Sequence, residues 1–202
     1  MLVLSLPRMF VSDHAGWREL FRAPPSVARI LLTRVLPFAT LPPLLCMYSV
    51  RAYPGLVLPW IAPSFQPLAM VLLGVTAISL QLVVVALMAG QIRLLAAAPA
   101  SAFTAGMDPR EALAFAAVVP LPLWLSSFAL LLPSRGLLAL AIAIGWVGSA
   151  ALIEHGIPRL YRPATLAHAR CIKRALLGRG LFGWAMVVMA LVLPLYALAA
   201  LE

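Results

Sequence analysis

Acidic side chains are scarce: the chain has 6 Asp and Glu against 15 Lys and Arg in 202 residues. So few carboxylates argue against an intramembrane protease built on paired acids. There are only 3 histidines and 2 cysteines, none at metal-ligand spacing such as H-E-x-x-H. Cys46 lies in an apolar run and Cys171 in a basic segment, at different levels of a membrane, which argues against a disulfide. G-x-S-x-G, the Walker loop and the dinucleotide fingerprint are also missing, which removes the common nucleophile and nucleotide chemistries. No enzyme, cofactor or metal is expected. The first residues, MLVLSLPRMF, lack an early basic cluster, a long apolar core and an Ala-x-Ala site, and do not read as a signal peptide.

Charged residues of both signs make up only 10% of the chain, and hydrophobic residues 64%. A soluble domain has roughly 25% and 45–50%. With a mean hydropathy of +1.04, this composition belongs to a polytopic membrane protein. The expected fold is all-α: a five-helix transmembrane bundle (residues 27–202) preceded by a cytoplasmic segment (1–26) with a short interfacial helix. The net charge of +9 is concentrated beside the apolar runs. Anionic lipid headgroups are therefore the expected partners, and nucleic acid is not.

In chain order, Ser12 to Arg22 puts Trp17, Leu20 and Phe21 on one helical face. It reads either as an interfacial helix or as a tail helix packed on the bundle. Ser26 caps a first span, 27–50, bent or unwound by Pro37, Pro42 and Pro43. A freed carbonyl inside a membrane must find another donor. RAYPGLVLPWIAPSFQP is an extracytoplasmic loop with interfacial aromatic residues. The second span, 67–98, is long enough to project Gln91 and Arg93 beyond the bilayer, and its Gln81 is read as an interhelical hydrogen-bond donor. Asp108-Pro109-Arg110-Glu111 is a helix start whose acids cap rather than catalyse. It opens a third span, 110–132, broken around Pro120 and Pro122. A tight turn then leads to a fourth span, 136–156, where Ala141, Gly145 and Ser149 form a small-residue stripe. That stripe places the fourth helix in the bundle centre, or alternatively in a homo-oligomer contact. Gly156 and Pro158 are read as its end, and the fifth span covers 176–201.

Twelve of the 15 basic residues fall on one side of this layout, which predicts a cytoplasmic N-terminus and an extracytoplasmic C-terminus. The basic surface there includes Arg159, Arg162, Arg170, Lys173 and Arg174. Arg34 and Glu154 lie at similar shallow depth and are expected to pair, with snorkelling of Arg34 as the alternative. The Glu154-His155 dipeptide is a weak hint of proton or metal chemistry, because adjacent helical side chains diverge.

GWRELFRAPPSVARILLTRVLPFATLPPLLCMYS, EALAFAAVVPLPLWLSSFALLLP and IEHGIPRLYRP resemble the Yip-domain family, named for interaction with Ypt/Rab GTPases, in its small bacterial branch. The resemblance implies five spans, a cytoplasmic N-terminus and residence in the bacterial inner membrane. Eukaryotic relatives are associated with vesicle trafficking and membrane shaping through protein partners. Their Asp-Leu-Tyr-Gly-Pro motif is absent here, and the family supplies no catalytic residues. The implied function is non-enzymatic: membrane organisation or partner binding at the cytoplasmic face. The alternative is a small transporter or channel with a polar site near Arg34, Gln81 and Glu154.

Overall fold

The computed structural model describes residue 17, residues 25–55, 67–96, 108–161, 170, 173–180 and 182–186, and residue 189. Among the described residues the regular structure is helical, with no strand. Four helices among the described residues are long and apolar enough to cross a membrane. We label them α1 (Val27–Ala52), α2 (Pro67–Ala96), α3 (Pro109–Leu131) and α4 (Arg135–Tyr161). Residues 173–180 and 182–186 are helical, and most of the expected fifth span lies outside the described residues.

Prolines shape α1 and α3. Pro37 has no N–H for the carbonyl of Thr33. The chain before it widens into a π-helical stretch, Leu31–Val35, closed by Leu36 N–H on Leu31 O. At Thr40 the helix breaks and restarts as Leu41–Ala52. In α3, Pro120 and Pro122 interrupt the ladder after Val118. A short helix, Leu121–Ser126, follows and tightens into a 3₁₀ turn, Ser127–Leu131. Ser126 and Ser127 donate to the carbonyls of Leu123 (2.7 Å) and Trp124 (2.6 Å).

The starts follow the capping expectations. Ser26 Oγ accepts from Arg29 N, and Asp108 Oδ1 accepts from Arg110 N at 2.8 Å ahead of Pro109. Ser134 Oγ caps α4 through Leu137 N at 3.3 Å, closing the tight turn between antiparallel α3 and α4. The 30-residue α2 is about 45 Å long against a hydrocarbon core of about 30 Å.

The bundle centre corrects one sequence expectation. It is α3, not α4: 61% of the apolar window of α3 is buried, against 22% for α4. Ala112, Ala114, Ala116 and Ala117 are fully buried, and α3 packs on α1, α2 and α4. Its alanines let helices approach from several directions, whereas the stripe on α4 admits one neighbour. Leu140, Ile144 and Val147 on the other face of α4 are exposed, as a lipid-facing surface would be.

Candidate functional site

Candidate polar chemistry sits at two levels: the end of the bundle formed by the start of α1, the end of α2, the start of α3 and the end of α4, and a cavity midway along it.

At the end of the bundle, α4 runs through Gly156 and Pro158 to Tyr161, correcting the expected stop. The missing Pro158 N–H removes one bond in the last turns, which a helix end tolerates better than its middle. Gly156 serves close approach instead. A Cβ there would run into Phe115 Cε2 and lie 2.7 Å from the Trp17 ring. Trp17 is 1% exposed, with its ring 5.5 Å from that of Phe115. Of the two readings open for the N-terminal helix, Trp17 takes the packed one; the rest of Ser12 to Arg22 lies outside the described residues.

Glu154 makes its ion pair with Lys173, where the sequence reading paired it with Arg34. The reason is topological. Arg34 is half-buried in the π-helical stretch of α1, which packs on the first half of α3 rather than on α4. Lys173 instead belongs to the basic segment that comes after α4 in the chain. His155 is exposed, and its Nδ1 lies 2.8 Å from Ala151 O on its own helix. The Glu-His dipeptide thus divides between two partners. No group of three or more His, Cys, Asp or Glu suited to a metal occurs among the described residues.

A second anchor, which the sequence did not reveal, joins Arg179 Nη1 to Gln91 Oε1 at 2.6 Å. Its only advance signal was the projecting Gln91-Ile92-Arg93 end of α2. The two anchors fix the basic segment to the ends of α4 and α2. Arg170 and Arg174 are exposed on either side of Lys173, and Arg29, Arg93 and Arg110 are exposed at the same end of the bundle. Arg159 lies within α4, but its side chain, like Arg162 and Cys171, lies outside the description.

The stripe on α4 meets α3. Gly145 is buried, and a Cβ on it would lie 3.0 Å from Pro122 O and 3.2 Å from Leu123 Cα. Ser149 is buried and Ala141 half-buried. At the opposite end, Tyr53 Oη donates to Leu131 O (3.1 Å) and Arg135 Nη2 to Gly55 O (2.9 Å), tying the α1 exit to the α3–α4 turn.

Midway, Gln81 is 4% exposed and donates from Nε2 to Ala39 O (3.2 Å) and Ala77 O (3.1 Å). It lines a cavity of about 220 Å³ with Pro42, Trp124, Ser127, Trp146 and Trp184. Neither Arg34 nor Glu154 lines it. The three polar residues of the transport reading therefore do not share this cavity.

No family model, curated protein or solved structure matches the chain. Four apolar spans make it an integral, multi-pass membrane protein in its own right.

Proposed function

We propose that the chain is a non-enzymatic, Yip-type integral protein of the bacterial inner membrane that acts in membrane organisation. It does so by gathering anionic headgroups and protein partners at its basic end. The supporting observation is the pair of anchors Lys173–Glu154 and Arg179–Gln91, which hold Arg170 and Arg174 exposed beside the other arginines of that end. Cations held in place lose less freedom on meeting a headgroup than cations on a loose tail, and each contributes about 1 kcal/mol near an anionic surface. The charge bias puts this end in the cytoplasm; a reporter fused after Glu202 and active only in the cytoplasm would overturn that orientation.

The test is photocrosslinking in native membranes from a probe at Arg170, with mass spectrometry of both proteins and lipids. Enrichment of phosphatidylglycerol or a reproducible protein partner, lost when Arg93 and Arg174 are both changed to Glu with the probe kept at position 170, is the expected result. Recovery of neither overturns the reading.

A further inference from the structure

The cavity beside Gln81 holds two polar groups that the fold leaves unused. Gln81 spends its amide N–H groups on Ala39 and Ala77, and its Oε1 is buried with no hydrogen-bond partner. Trp124, 1% exposed, has a buried Nε1–H that likewise has no hydrogen-bond partner. Both residues line the cavity. Two residues of a largely apolar wall thus each carry a buried polar atom without a partner, an acceptor on Gln81 and a donor on Trp124, and an unmade hydrogen bond there is costly. The Ser126 and Ser127 hydroxyls already donate to backbone carbonyls and retain only acceptor capacity.

Size and wall chemistry narrow the occupant. An apolar cavity of roughly 150 Å³ takes one benzene, so about 220 Å³ suits a single substituted ring. A lone water, occupying about 30 Å³, would leave most of the space unfilled. Trp124, Trp146 and Trp184 supply aromatic surface, with Trp124 and Trp184 edge-to-face at 5.9 Å, an arrangement that receives another ring well. Ile142, also in the lining, is 40% exposed on the outer side of α4. Entry is therefore from the hydrocarbon phase.

We propose that this cavity binds a phenol-class lipophile, one ring carrying one hydroxyl, taken up from the bilayer. The hydroxyl donates to Gln81 Oε1, and its oxygen or the ring face receives the Trp124 N–H. This site is independent of the basic end and of its proposed role.

The test uses the full chain in nanodiscs of zwitterionic phosphatidylcholine, with 4-bromophenol and bromobenzene as heavy-atom quenchers of tryptophan emission, compared at matched bilayer concentration. 4-Bromophenol should give a saturable component about tenfold tighter than bromobenzene. Gln81→Met should shrink that preference to about twofold or less. Ile142→Phe, at the mouth and outside every hydrogen bond, should abolish the saturable component without changing thermal unfolding. Linear quenching by both compounds, equal affinity for both, or saturable quenching that persists in Ile142→Phe would each overturn the site.

Discussion

Gln81 Nε2 reaches across from α2 to donate to Ala39 O on α1 at 3.2 Å, supplying the hydrogen bond that Pro43, four residues after Ala39, cannot make. A proline inside a membrane helix strands the carbonyl of residue i−4, and in hydrocarbon that group must be satisfied by protein. Gln81 is therefore the structural complement of Pro43. The two should be energetically coupled: Gln81→Leu alone should cost about 1–3 kcal/mol by orphaning a buried carbonyl. In a Pro43→Ala background Ala39 O regains a backbone donor, and the same substitution should cost less than about 1 kcal/mol. A double-mutant cycle of denaturant unfolding in lipid measures the coupling; strict additivity would rule it out.

Two glycines of α4 should resist the smallest enlargement. A Cβ on Gly145 would meet the backbone of Pro122 and Leu123, and one on Gly156 would meet the Phe115 and Trp17 rings. Overpacking of this kind costs about 1–3 kcal/mol. Gly145→Ala should be the worse of the two, because backbone cannot turn aside as a ring can. Gly90 and Gly136 have open space at the Cβ position, so alanine there should be neutral or slightly stabilising. Thermal unfolding of the four variants checks the order.

These positions also show where the sequence was readable. Four of the spans, the Ser26 and Asp108 caps and the proline breaks were legible because each is decided within a few residues by apolar length, side-chain oxygen placement or a missing N–H. Gln81 as a donor was legible because a lone amide in an apolar run needs a partner. The centre of the bundle was not, because a stripe of Gly and Ser on α4 and a run of alanines in α3 both permit close packing, and only assembly decides which is surrounded. Nor was the partner of Glu154: depth along a helix can be counted, but which way Arg34 and Glu154 face about their axes depends on which helices α1 and α4 pack against.

The Lys173–Glu154 pair should anchor position more than it adds stability. Its side chains are 19% and 49% exposed, and such pairs contribute about 0–1 kcal/mol. Glu154→Gln should therefore change unfolding free energy by less than about 1 kcal/mol, where breaking a fully buried pair would cost about 3–5 kcal/mol. The same substitution should loosen residues 173–180, read as faster amide hydrogen exchange there. A loss of several kcal/mol would show that the pair is shielded from solvent.

Alkaline pH should act at the opposite end. A hydrogen bond with Tyr48, then desolvation and the charge interaction with Tyr48, raise the Tyr53 pKa above its ordinary value of 10.0. Because the folded state favours the neutral phenol, its contribution is fully present below the ordinary value. That contribution is lost as pH rises through the raised one. The Tyr53 Oη–Leu131 O bond disappears with the proton. Tyr53→Phe should therefore lower Tm below about pH 9 and converge with wild type at higher pH. Parallel curves across that range would show that Tyr53 ionisation is not coupled to folding.

Ser149 gives the opposite sign from a residue kept for a polar role. It is 1% exposed on the face of α4 that packs on the bundle, and its Oγ has no hydrogen-bond partner. A hydroxyl buried without a partner opposes folding, and removing it returns its desolvation cost, about 1–3 kcal/mol, less the contacts of one oxygen atom. Ser149→Ala keeps the small volume that this side of α4 requires and should raise stability by about 1 kcal/mol. Ser149→Val should lower it, because the added methyl groups enter a close-packed contact. If alanine destabilises instead, the hydroxyl has a partner in the membrane, and the small-residue stripe contributes hydrogen bonding as well as close approach.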